Sequence, residues 1–253
     1  MLYLVGIGLA PKHITKESIS ALKSCEKIYL DSFTSQLPEG YISKLSSEVG
    51  KEIIALERKE IEENFLEKFL LPFNYNVALA VPGSPLNATT HIQLAIECKK
   101  LSIPVKIIPG ISVFEFVAFT GLDRYKFGRT TTIVFHEPDY EPESFYDVII
   151  KNKSLGLHTF CLLDIRKEES RLMSIRQALS LLELIEERRE KNVIAESIIV
   201  GLAGLGSDRE QIFAGPIEKV KNFDFVSFPQ SLIVCGNLNE KEIEGLKTLA
   251  DLE

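Results

Sequence analysis

The sequence predicts an α/β protein of two α/β domains: residues 1–122 form a mostly parallel sheet with helices on both faces, and residues 123–253 form a smaller mixed sheet with helices. Three observations predict it. Through the first half, short apolar runs alternate with helical patterns, as in a parallel sheet covered on both sides. Near Gly121 the chain turns polar, and an acidic, proline-bearing stretch follows at residues 136–144. The length of 253 residues also exceeds the usual domain of about 100–150.

The elements follow in order. LYLVGIG from Leu2 is the first strand, and a helix runs from Thr15, its cap, to Cys25. KIYLD is the second strand, Tyr41–Val49 a short helix, and EIIAL the third strand. A helix over Ile61–Leu71 is stopped by Pro72, and VALAV is the fourth strand. Thr89 or Thr90 caps a helix reaching Leu101, VKIIP is the fifth strand, and a helix spans Ile111–Thr120.

Beyond the linker LDRYKFGR, the strands TTTIVF and LHTFCLL are separated by HEPDYEPES. A long helix from about Met173 to Lys191 sets Ile175, Leu179, Leu182 and Ile185 on one face at helical spacing, a core stripe. ESIIVGLAG, QIFAGPIEKV and SLIVCG lead to a final helix over Glu240–Leu252.

Composition bounds the function. A net charge of −7 gives no global field for a phosphate backbone, so direct nucleic-acid binding is not expected. Arg166, Lys167, Arg171 and Arg176 read as a solvated helix face. Cys25, Cys98, Cys161 and Cys235 lack any metal-ligand spacing and sit in or beside apolar runs, which reads as buried thiols in a reducing compartment. The apolar start lacks a basic n-region, and no run reaches the eighteen or more residues of a membrane span, so the expectation is a cytoplasmic protein with no metal site and no membrane partner.

Four loops invite a search for chemistry, because ligands of open α/β sheets collect beyond the carboxyl ends of strands. GIGLAP breaks a dinucleotide fingerprint at Pro11, although Asp31 imitates the ribose-binding acid. GLAGLGS has P-loop glycine spacing but Ser207 and Asp208 where Lys and Ser/Thr are required. IPGISV carries Ser112 without the last glycine of a nucleophile elbow, since Phe114 stands there. His13, His91, His136 and His158 show no paired spacing, and His158 reads as structural. What remains, with VPGSPLNATTH, is a set of uncharged loops suited to a backbone-lined slot. Methyl transfer from a sulfonium suits such a slot, because alignment alone supplies up to about 7–11 kcal/mol and needs no conspicuous catalytic residue.

LYLVGIGL, YLDSFTS, VPGSPLNATTH, GLDRYKFGRTTT, SFYDVI, GLHTFCLLDI and SLIVCGNL occur in one order over residues 2 to about 238. On these stretches the chain resembles the diphthine synthases, in the tetrapyrrole-methylase-like class of S-adenosylmethionine methyltransferases. The resemblance implies a homodimer whose protomers hold S-adenosylmethionine in a cleft between the two domains. It further implies N-methylation of the 3-amino-3-carboxypropyl-modified histidine of translation elongation factor 2, the protein substrate, in diphthamide biosynthesis. Matching positions imply donor contacts at Leu9, Ser84, Asn87, Ser112 and Val113, and from the second domain at Leu163, Ala203 and Gln230. The amine must be unprotonated to attack, and no residue is identified as its proton acceptor.

Two positions depart from the family. Ser84 replaces an aspartate, and Gln230 stands where a histidine is common. IPGISV is closer to the wider class, which keeps methylation of a tetrapyrrole (corrinoid) precursor as an alternative. Ser84 keeps a second: a protein that binds S-adenosylmethionine without turnover.

Overall fold

A computed structural model describes residues 1–252. It divides into two compact units, Met1–Phe114 and Glu115–Glu253. That division precedes the boundary expected at residue 122, and local packing explains the difference. At Gly121 the backbone meets Gly245 so closely that a Cβ would lie 2.6 Å from the Gly245 carbonyl carbon, so the segment ending at Gly121 packs with the second unit.

The first unit holds β1 (Leu2–Gly6), α1 (Lys16–Ser24), β2 (Lys27–Asp31), α2 (Tyr41–Val49), β3 (Ile53–Leu56), α3 (Arg58–Asn64) continuing into a π-helical stretch at Phe65–Leu70, β4 (Val77–Val81), α4 (Ile92–Lys100), β5 (Val105–Ile108) and the start of α5 (Val113–Phe116). All strand pairs are parallel, in the order β3-β2-β4-β1-β5. Alternating side chains serve two cores. Leu2, Leu4, Val77 and Leu79 pack with Ile61, Phe65, Leu94 and Cys98. Val5, Ile7, Ala78 and Ala80 pack with Leu22, Tyr41 and Leu45. Helices thus cover both faces, as the apolar strand runs predicted.

The second unit continues with β6 (Thr131–Ile133), α6 (Ser144–Ser154), β7 (Thr159–Leu163), β8 (Ile165–Arg166), β9 (Arg171–Leu172), α7 (Ile175–Arg189), β10 (Ile198–Ala203), β11 (Gln211–Pro216), α8 (Ile217–Asn222), β12 (Gln230–Val234) and α9 (Glu240–Leu249). Its five-stranded sheet has the order β11-β10-β12-β7-β6, with β6 and β7 parallel and the other pairs antiparallel. The stripe Ile175, Leu179, Leu182 and Ile185 is fully buried, as its spacing required.

Local expectations fared unevenly. Thr15 caps α1 through its hydroxyl oxygen, which accepts the Ser18 N–H at 2.9 Å. Thr89 and Thr90 do not cap α4: their hydroxyls donate to Pro85 O and to Glu62 Oε1, and His91 occupies the cap position. Helix α6 was not expected after HEPDYEPES, yet Phe145, Tyr146 and Ile149 anchor it in the core. Arg166 and Arg171 are not on a helix face. They lie on the β8–β9 hairpin, each 2.8 Å from Glu137 Oε1, with their guanidinium groups over the Phe135 ring. Among the described residues no helix is long and apolar enough to cross a membrane.

Candidate functional site

The order of the parallel sheet creates a crevice. From β1 the chain passes to α1 on one face, and from β4 to α4 on the other. Since β1 and β4 are neighbours, their loops diverge beyond the carboxyl ends, which is the topological switch point where α/β sheets bind ligands. Glycine fixes the loops there. The N–H groups of Gly8 and Gly83 donate to one another's carbonyls at 3.2 and 3.0 Å. A Cβ on Gly110 would lie 2.1 Å from the Gly83 carbonyl oxygen, so the loops after β4 and β5 touch backbone to backbone.

The five first-unit candidates gather around this contact. Leu9 is half-buried, with Cδ2 3.6 Å from the position of a Gly83 Cβ, and the Ser112 Cβ is 3.4 Å from the same point. Asn87 Nδ2 donates to Ser112 Oγ at 3.1 Å, tying the loop after β4 to that after β5. Ser84 accepts the Asn87 N–H at its carbonyl (3.2 Å), and Val113 opens α5. Residues 6–11, 82–88 and 109–113 contain no ionisable side chain. This set fits a sulfonium nucleoside held by backbone groups, hydroxyls and an amide, with no carboxylate and no base within the three stretches themselves.

In the second unit the other three candidates form a row. Ala203 pairs with Gln230, and the β12–β7 register, continued by one residue, sets Leu163 opposite Gln230. The Gln230 side chain is engaged within the fold: Oε1 accepts the Ile175 N–H at 2.7 Å, and Nε2 donates to the carbonyls of Phe225 (3.1 Å) and Ser227 (3.0 Å).

Two buried histidine–carboxylate pairs were not legible from spacing. Asp31, fully buried at the end of β2, accepts the N–H groups of Phe33 and Thr34 on Oδ1 at 3.0 and 2.9 Å. Its Oδ2 accepts the Thr34 hydroxyl and lies 2.8 Å from His91 Nε2. Burial alone would raise this carboxyl, but hydrogen bonds from His91 and Thr34 outweigh it and hold the group below the usual carboxylate range. An ionised Asp31 only accepts, so His91 carries a proton on Nε2. His91 Nδ1 is buried with no hydrogen-bond partner, and such an orphan costs about 1–3 kcal/mol. Asp31 therefore serves the β2 loop and His91; the ribose-binding acid it imitates in sequence is not its role.

The second pair is closed. His158 Nδ1 accepts the Gly236 N–H at 3.0 Å, and Nε2 donates to Glu242 Oε1 at 2.8 Å. Glu242 also accepts from Lys126 Nζ and from the N–H groups of Asp123 (3.1 Å) and Asn239 (3.0 Å). Burial opposes its charge, but these partners hold its carboxyl down to about 2, while burial pushes His158 below its usual value. The segments YKFG and GLHT thus meet on one carboxylate, which makes them structural ties, as expected for His158. The cysteines are all buried; burial pushes Cys25 and Cys98 up to about 11 and Cys235 to about 12, so none is a ready nucleophile.

Comparison with known proteins agrees with this geometry. The model for Tetrapyrrole (Corrin/Porphyrin) Methylases matches residues 1–221. A diphthine synthase of Methanococcus aeolicus is 37% identical over 253 residues, covering 99% of this chain and 98% of its own. A diphthine methyl ester synthase of Schizosaccharomyces pombe is 37% identical over 268 residues, covering 99% of this chain and 94% of its own. A crystal structure of diphthine synthase aligns with a TM-score of 0.88 at 30% identity, covering 100% of this chain and 96% of that one. A glycine-pinned, uncharged crevice at the switch point, on a chain alike over its whole length to these proteins, identifies it as a member of the tetrapyrrole methylase family, in the diphthine synthase branch.

Proposed function

We propose that this protein transfers methyl groups from S-adenosylmethionine to the amino group of the 3-amino-3-carboxypropyl-modified histidine of translation elongation factor 2, giving diphthine. The observation that carries the reading is the uncharged switch-point crevice on a chain that matches diphthine synthases from end to end. Leu9, Ser84, Asn87, Ser112 and Val113 are the proposed donor contacts of the first unit, and Leu163, Ala203 and Gln230 those of the second. The donor, when bound, supplies an already activated methyl group. The protein's part is to orient it: the Gly8–Gly83 and Asn87–Ser112 bonds fix the loops so that loop ordering is complete before the donor arrives. Ser84 offers a hydroxyl where the family has a carboxylate, leaving recognition to be shared among backbone groups. A cytoplasmic homodimer that receives elongation factor 2 as a protein substrate completes the reading.

Incubating the purified chain with methyl-labelled S-adenosylmethionine and the aminocarboxypropylated factor is expected to label the factor at that residue, with mass spectrometry counting the methyl groups. Label on a corrinoid precursor and none on the protein would move the activity to the tetrapyrrole branch. Calorimetric binding of the donor with transfer to neither would make the chain a binding protein.

A further inference from the structure

The reaction needs a proton acceptor, because an alkylamine is mostly an ammonium ion near neutral pH and has no lone pair to attack with. Residues 6–11, 82–88 and 109–113 hold no ionisable group to take that proton, and the ionisable residues that follow the first two stretches before α1 and α4 begin are Lys12, His13 and His91. The nearest titratable side chain on the loop leaving β4 is His91, its last residue before α4, and the structure gives it the features of a base. Its Nε2–H is held by Asp31, so the lone pair is on Nδ1. That atom is buried and partnerless, whereas the comparable atom of His158 is engaged by Gly236. Its position agrees: β2, which ends at Asp31, pairs directly with β4, whose outgoing loop begins at the glycine contact. Between them, Leu86, Asn87 and Ala88 are exposed, and Ala88 has φ 56, a left-handed conformation that an alanine adopts only at a cost.

We propose that His91 Nδ1 is the proton acceptor for the attacking amine, directly or through one water, with Asp31 as the residue that positions it. This rests on the methyltransferase reading above. The ammonium gives a proton to Nδ1 and becomes a neutral amine. The nitrogen lone pair then forms the N–C bond as the C–S bond breaks, with that bond's electrons remaining on sulfur as a neutral thioether. The imidazolium, stabilised by Asp31, releases its proton to water, and the methylated ammonium enters the next cycle by the same loss of a proton. The charged groups around the pair are Asp31 on β2, Arg58 of α3 over the Phe33 ring beside His91, and Glu62 of α3 bonded to Thr90.

The test is single-turnover methyl transfer to the aminocarboxypropylated factor, followed against pH in the wild type, His91→Gln and Asp31→Asn, with S-adenosylhomocysteine binding measured by calorimetry in each. His91→Gln is expected to bind S-adenosylhomocysteine within about threefold of the wild type, to lose about 10²–10³-fold in rate at pH 7, and to lose an inflection present in the wild-type profile. Asp31→Asn is expected to keep S-adenosylhomocysteine binding but to lose rate as well, and its imidazole ¹⁵N resonances are expected to show Nε2 no longer fixed as the protonated nitrogen, since the carboxylate that accepts the Nε2–H is gone. A His91→Gln enzyme with the wild-type rate and profile would overturn the proposal and leave His91 holding a structural water only. Loss of binding together with rate would also overturn it, making the pair a support of the donor loop. A wild type that neither binds nor transfers would instead sink the methyltransferase reading. Should His91→Gln fail to fold, imidazole ¹⁵N resonances of the wild type decide: Nδ1 is expected to be the unprotonated nitrogen and to shift when the amine substrate is added, and a protonated Nδ1 with a bare Nε2 would refute the assignment.

Discussion

The two buried histidines, His91 in the first unit and His158 in the second, share a chemistry and differ in what surrounds it. Each sits 2.8 Å from a carboxylate through Nε2, and each is essentially inaccessible. At His158 the other nitrogen is bonded, and the partner Glu242 accepts from two side chains and two backbone N–H groups. At His91 the other nitrogen has no partner. A network with every position filled gains rigidity from its low-dielectric surroundings; one with an opening has a standing cost and a site where a proton can go. The comparison teaches that two histidines alike in burial and in their carboxylate partner differ in the state of the second nitrogen, which is engaged at His158 and without a hydrogen-bond partner at His91.

The largest expected effect comes from deleting the carboxylate of the closed pair. Glu242→Ala leaves the His158 N–H and two backbone N–H groups without their acceptor and the Lys126 ammonium with only the Asn237 carbonyl, and the expected loss is about 3–5 kcal/mol of folding stability. Urea unfolding checks it, and a loss under about 1 kcal/mol would show that the closed network is not a structural tie.

Acid titration of stability sharpens the same point with a smaller effect. Glu242 has a folded value near 2 against an ordinary 4.5, so it adds stability fully above pH 4.5 that is lost as pH falls toward 2, on the order of 3 kcal/mol. His158 is likewise depressed from 6.5, so the unfolded chain binds its proton more readily and stability already declines as pH drops below that value. Stability measured from pH 8 to pH 3 should therefore begin to fall near 6.5 and steepen below 4.5. In Glu242→Gln the lower limb should flatten; an unchanged limb would assign the acid loss to other carboxylates.

How much of this was legible in the sequence depends on the range of the interaction. The doubly wound sheet was readable because strand and helix periods are local, and the seam of α7 because its apolar residues recur within one helix. The loop candidates were readable because glycine and proline at strand ends have local meanings. Helix α6 was not: its core side chains Phe145, Tyr146 and Ile149 are followed by Asn152 and flanked by an acidic approach, so the stripe is short and its polar face dominates the text. Neither histidine pair was legible, because Asp31 and His91 lie 60 positions apart and His158 and Glu242 lie 84 apart. No periodicity links such pairs; only the adjacency of β2 with β4, and the packing of α9 against the Val117–Thr120 turn, brings them together.

Gln230 gives the smallest and most discriminating test, because two roles compete at one side chain. Family resemblance implies a donor contact there, while its amide already binds Ile175 N–H, Phe225 O and Ser227 O. Both of its N–H groups are used, so only one lone pair on Oε1 remains for a ligand. If the clamp is its main work, Gln230→Ala loses the acceptor at the start of α7 and a brace on the loop before β12, about 1–2 kcal/mol of stability, with S-adenosylhomocysteine affinity changed by less than about threefold. If donor binding is its main work, affinity falls tenfold or more while the unfolding midpoint barely moves. Calorimetry and urea unfolding on the same preparation separate the two, and the hydrogen bonds favour the first. That result would place Gln230 with Glu242, among polar groups whose positions are filled, and leave His91 as the buried side chain in the contrast whose bonding remains open.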